Sequence, residues 1–267
     1  MRPGEAITVV TFLCFILLGW LLRLSWRQQR QIIVLALVGS APILGARMIS
    51  MRLPATARVI DDWLPTFLIL FVYWQSGRFY TNTNAKLQEW LDGFDRRWLG
   101  DLIRRWECGW RTSWLGIYLE VAYLFCSPLV LLGVAVLYFA HLRTKIDIFW
   151  ITVLTPTYLC YLALPWTATL PPRLTHPSPA ARTKLQRLNK FILGRAGIQL
   201  NTFPSAHVAS SLSVSMVLLH VIPAVGVIFL IVAVSIAAAA FLGRYHYMPD
   251  ILLGALLAMA VSFATLH

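Results

Sequence analysis

Two short stretches hold the residues best suited to chemistry: NTFPSAHVASS, Asn201 to Ser211, and GRYHYMPDILLGA, Gly243 to Ala255. In the first, Pro204 and Ser205 precede an apolar run, so Ser205 is expected to cap a helix and His207 to lie in its first turn. A helix start presents unpaired N–H groups and partial positive charge, which suits phosphate oxygens. The Ser205 hydroxyl adds a donor, and His207 is placed to protonate an oxygen leaving from that phosphorus. In the second stretch, the spacing of His246 and Asp250 puts them on one face if the backbone is near helical. A carboxylate on one imidazole nitrogen fixes the tautomer and leaves the other nitrogen free to attack. Pro249 fits a first helical turn, and Arg244 offers a planar donor fork for phosphate. A third stretch, LPPR ending at Arg173, falls at the exit of another apolar run.

The elements that must position these residues are membrane helices. The chain has 267 residues, 58% of them apolar and only 13% charged, with a mean hydropathy of +0.69. A soluble domain carries about 25% charged residues. Apolar runs recur throughout, which predicts an all-α, polytopic, integral membrane protein. The clearest runs are 6–22, 114–140, 146–164, 206–221, 224–242 and 251–266, each near the ~20 residues that cross a bilayer core. Two shorter runs, 32–46 and 63–74, bring the expected total to about eight segments. The apolar run after Arg2 lacks a small-residue cleavage site, so it is expected to stay as the first span. Under this topology Arg173, Ser205, His207, Arg244, His246 and Asp250 all lie on one side of the membrane, where three motifs can converge on one anion-sized site.

Two polar stretches interrupt the spans. Within 78–112, Trp90, Leu91, Phe94, Trp98, Leu102 and Trp106 recur at three-and-four spacing between basic residues. That pattern predicts an interfacial amphipathic helix over about 84–106. In the second stretch, 165–202, prolines break any long helix and a short basic one is expected over 180–193. Most of the 23 Lys and Arg residues fall on the side that carries the histidines, a charge suited to anionic headgroups or phosphorylated substrates. Nothing resembles a nucleic-acid recognition element. Cys14, Cys108, Cys126 and Cys160 are scattered, with no metal-binding or disulfide spacing, and read as packing residues. Glu120, early in a span, reads as a structural carboxylate or a lipid gate.

Taken together the three motifs resemble those of the type 2 phosphatidic acid phosphatase superfamily, whose signatures read K-x6-R-P, P-S-G-H and S-R-x5-H-x3-D. FPSAH, the PPR form of the first motif and the RYHY…D form of the third look like the branch that includes inositol phosphorylceramide synthases. The resemblance implies a six-helix catalytic core over 63–267, preceded by additional helices in 1–62. It implies His246 as the nucleophile that becomes phosphohistidine, Asp250 as its orienting group and His207 as the general acid. Arg173, Ser205, Ala206 and Arg244 would hold the phosphate, with no metal and no other cofactor. The chain departs from the signatures at Trp166, where the family has lysine, at Ala239 and Ala240, where it has Ser-Arg, and at Ala206, where it has glycine. The function implied is removal of phosphate from a membrane lipid: a phosphatidate, a prenyl phosphate or diphosphate, or a sphingoid phosphate. An alcohol resolving the same intermediate would instead make a headgroup transferase, and the departures also admit a non-catalytic lipid-binding or transport protein. The family resemblance implies an outward-facing site in a multi-pass cell-membrane protein, whereas the charge bias points to the cytoplasm.

Overall fold

A computed structural model describes residues 1–110, 113–176 and 184–267. The helices run in order α1 (Pro3–Leu21), α2 (Trp26–Ser50), α3 (Pro54–Ser76), α4 (Ala85–Arg105), α5 (Trp114–Leu124) and α6 (Cys126–Phe139). They continue as α7 (Ile146–Thr167), α8 (Pro172–Thr175), α9 (Lys184–Ala196), α10 (Ala206–Val221), α11 (Pro223–Leu242) and α12 (Met248–Leu266). Among the described residues the only other ladder contact is an isolated antiparallel bridge between Thr169 and Asn201. A chain this apolar has little choice: without water, each backbone N–H and C=O must find its partner inside its own segment.

Among the described residues, five helices (α1, α2, α11, α12 and Arg143–Thr167, which contains α7) are long and apolar enough to cross a membrane. The pair α5–α6 makes a sixth if it is one span, bent by 63° at its break. The sequence suggested an unbroken run from 114 to 140. The α-helix instead ends at Leu124, with Phe125 as its cap, and restarts at Cys126. α2 is longer than its apolar run implied, because Gln28 and Ser25 cap its start at the polar edge. α10 is a shorter apolar helix of 16 residues, and α3 carries Arg58, Asp61 and Asp62 in its first turns.

One apolar cluster unites the bundle. Phe12 and Phe15 of α1 and Ile32 of α2 are buried with Val134, Phe149 and Val214 of α6, α7 and α10. The N-terminal helices therefore share the core of the helices that carry the motifs. Outward-facing apolar side chains such as Leu17, Ile228, Ile231, Val234 and Phe263 are exposed, as a lipid-facing surface requires. The expected helix in the second polar stretch forms from Lys184 onward; the start expected at Ala180 lies outside the described residues.

Candidate active site

The ends of α7 and α11 and the starts of α10 and α12 meet at one edge of the bundle. The α10–α12 contact is made close by Gly254. A Cβ at that position would lie 2.5 Å from the Ser205 carbonyl oxygen. One turn earlier, the Asp250 carbonyl accepts the Ser205 N–H at 3.0 Å. The P-S-x-H and H-x3-D stretches are thus joined backbone to backbone.

Ser205 caps α10 as the sequence predicts, its hydroxyl accepting the Val208 N–H at 3.5 Å. Ala206 is buried and its N–H donates to Thr202 Oγ1 at 3.4 Å. His207 follows in the first turn. α12 begins similarly: Tyr247 is its N-cap, and the Asp250 carboxylate accepts the Tyr247 N–H at 3.0 Å. The same oxygen, Oδ2, lies 3.4 Å from His246 Nδ1 and accepts from Asn201 Nδ2 at 2.7 Å. The spacing of His246 and Asp250 is therefore that of a residue just outside a helix facing the N3 carboxylate inside it. Asp250 closes the helix and fixes the imidazole with one oxygen, leaving the far nitrogen of His246 free of that contact.

The His246 and His207 ring centroids are 5.6 Å apart. His207 Nδ1 is buried without a hydrogen-bond partner. Burial, with His207 and Arg173 as nearby positive groups, pushes His246 well below the usual histidine range. A neutral imidazole with an available lone pair results, the state a nucleophile needs.

Arg173, at the start of α8, sits over the Tyr245 ring with its guanidinium carbon 5.1 Å from the centroid. Its N–H donates to the Arg244 carbonyl at 2.9 Å. Arg244 itself adopts φ +62°, the left-handed region that non-glycine residues rarely enter. Its guanidinium is directed to Asp95 of α4, at 4.0 Å. The two arginines singled out from the sequence therefore stand differently: Arg173 beside the histidines, Arg244 against the amphipathic helix. At the positions where the signatures have Lys and Arg, Trp166 is exposed and Ala240 is buried. The Ala240 carbonyl accepts the N–H groups of both Tyr245 and His246 at 2.9 Å, shaping the turn between α11 and α12.

Several site residues escaped the sequence reading. Tyr123 stacks on Tyr245 with centroids 3.9 Å apart and faces His207 at 5.7 Å. Tyr245 Oη donates to Glu120 at 2.9 Å, and Asn189 of α9 also hydrogen-bonds the Glu120 carboxylate. That places Glu120 as a support for the ring beneath Arg173. Cys126, expected as a packing residue, lies against the His207 ring, because the break after Phe125 turns the start of α6 toward α10. Below His207 the same break borders a cavity of about 270 Å³ lined by Tyr73, Tyr123, Cys126, Tyr161 and His207 among others. No local spacing rule links Tyr123, Asn189 and Tyr245, which come from α5, α9 and the turn between α11 and α12.

The all-α membrane bundle thus brings a buried, carboxylate-oriented histidine to face a second histidine at its edge. A family model described as the PAP2 superfamily matches residues 89–264, and the chain belongs to that superfamily. It is accordingly a phosphoric-ester hydrolase or a related phosphotransferase. No curated protein and no solved structure matches the chain.

Proposed function

We propose that the protein is a metal-independent phosphatase of membrane lipid phosphates that works through phosphohistidine at His246. The observation that carries this reading is the His246–His207 pair, with Asp250 on the inner nitrogen of His246. His246 Nε2 attacks phosphorus as the bond to the lipid oxygen breaks, and protonated His207 gives its proton to that oxygen. Water then attacks the phosphohistidine; His207 takes the proton, the P–N bond breaks and His246 returns neutral. Arg173, Arg244, Ser205 and the start of α10 at Ala206 stabilise the charge on the phosphoryl oxygens. The apolar cavity below His207 suits a single lipid chain, which favours a lipid over a soluble ester. A prenyl phosphate or diphosphate or a sphingoid phosphate meets that description, and a phosphatidate does so with its second chain left in the bilayer.

A transferase reading is favoured by a cleft of about 370 Å³ lined by Asp92, Asp95, Arg96, His176 and Arg244 among others. Its mixed charges suit a polyol that attacks the intermediate in place of water. We place the site on the outward face, since Arg244 and Arg173 serve the site and are a poor guide to orientation. Phosphate release from a panel of lipid phosphates, by purified protein in EDTA with His246→Ala alongside, tests the phosphatase. Release by the unaltered protein alone is expected. Activity lost in EDTA and restored by a divalent metal contradicts the mechanism, and turnover that needs an added polyol favours the transferase.

A further inference from the structure

The amphipathic helix α4 turns a polar ridge inward, and the ridge touches the segment after α7 that leads to Arg173 and the turn between α11 and α12 that carries Arg244 and His246. Asn84, Gln88, Asp92 and Asp95 recur at helical spacing on one face. Asn84 donates its N–H to the Ala168 carbonyl at 2.8 Å and its side-chain amide to the Trp166 carbonyl at 3.0 Å. Gln88 accepts the Leu170 N–H at 2.7 Å and donates to Tyr247 Oη at 2.5 Å. Asp92 pairs with His176 at 2.6 Å. Asp95, only 2% exposed, accepts the Met248 N–H at 3.1 Å through Oδ1. Its Oδ2 has no hydrogen-bond partner and looks toward Arg244 at 4.0 Å.

We propose, on the phosphatase reading above, that Asp95 is a positioning residue of the active site, acting through Arg244 and through the first turn of α12. Met248 opens the helix whose next turn holds Asp250, and Arg244 lies two residues before His246. A carboxylate at this one point therefore sets both the arginine and the helix start. A purely structural role fits poorly. Burial pushes Asp95 up to about 6, so the folded protein holds the proton more tightly than the unfolded chain does. The contribution of Asp95 to stability is then fully present below about pH 4, the unfolded value, and is lost as the pH rises through about 6. Ionised Asp95 thus weakens the fold at neutral pH, and what it returns is the placement of Arg244. The titratable and charged groups facing it are Asp92, Arg96, Asp101, Arg104, His176 and Arg244 around the cleft, and Asp250, which feels its charge from α12.

Asp95→Asn keeps an oxygen for the Met248 N–H and removes the charge. The test compares this variant, Arg244→Gln and the double variant with the unaltered protein in detergent. It measures melting temperature, kcat and KM for a lipid phosphate, and the affinity for orthovanadate, a phosphoryl-transfer mimic. The expected result for Asp95→Asn at pH 7.5 is a melting temperature unchanged or higher. KM and the orthovanadate Kd rise about tenfold, kcat stays within about threefold, and Asp95→Asn adds nothing further in the Arg244→Gln background. The unaltered protein also shows an acid limb in KM near pH 6 that the variant lacks. A lower melting temperature with KM and orthovanadate affinity unchanged overturns the proposal, as do effects of the two substitutions that simply multiply. If the unaltered protein releases no phosphate from any lipid, the phosphatase reading fails and the orthovanadate titration alone decides the role of Asp95. Absence of orthovanadate binding to the unaltered protein overturns both.

Discussion

His246 owes its character to three neighbours supplied by three different parts of the chain. Asp250 holds Nδ1 from the first turn of α12, Asn201 holds Asp250 from the segment before α10, and Arg173 adds positive charge from α8. Only the first lies within reach of a local spacing rule, which is why His246, Asp250, Ser205 and His207 were legible in the sequence while Asn201, Tyr123, Tyr245 and Cys126 were not. Asp250→Asn tests the residue-scale claim most cleanly. Asparagine preserves an acceptor for Tyr247 and the contact with Asn201 but loses the charge that steadies the imidazole. Turnover is expected to fall by about 10²–10⁴-fold with little change in melting temperature, measured on the purified variant. A fall of less than about threefold would remove Asp250 from the mechanism.

At the scale of elements, the spans follow from apolar runs, since length and hydropathy decide which segments cross a membrane. Breaks and close approaches are another matter. The bend at Phe125 has a cause in the sequence that an apolar run hides: Pro128 has no N–H for the Leu124 carbonyl and crowds it, so α5 ends there, and the break brings Cys126 to His207 and borders the cavity beneath. α4 was legible as an amphipathic helix, but a helical spacing does not say which polar residues turn inward. Trp90, Trp98 and Leu102 are exposed, whereas Asp95 is buried with Leu91. Gly254 is the clearest element-scale device, because α12 reaches Ser205 only where there is no Cβ. Gly254→Val is expected to force the helices apart at a cost of about 1–3 kcal/mol. Melting temperature and turnover should drop together; unchanged turnover would show that the α10–α12 approach does not set the site.

Across the whole molecule, polar groups gather at the two ends of the bundle. The end with the histidines carries the candidate site. At the other end, Arg2 and Arg143 both pair with Asp62, Arg2 also meets Asp147 at 2.9 Å, and Arg47 pairs with Glu5. These contacts tie α1 and α2 to α3 and α7. Thr8 of α1 and Tyr158 of α7 add a buried hydrogen bond at 3.0 Å deeper in the bundle. The sequence supplied the charges as scattered residues at segment ends; their pairing depends on which ends the packing brings together. Far from the candidate site, this network and the shared apolar core hold the frame against which the four motif-bearing helix ends are set.

The most direct test of the account is capture of the covalent intermediate. Purified protein is mixed with a radiolabelled lipid phosphate in EDTA and quenched in alkali within the first turnovers, conditions that preserve phosphohistidine. The labelled site is then located by peptide mass spectrometry. The account predicts one phosphoryl group on His246, absent in His246→Ala and cleared by continued incubation. Phosphate release without any labelled protein, or a label on a residue other than His246, would contradict it.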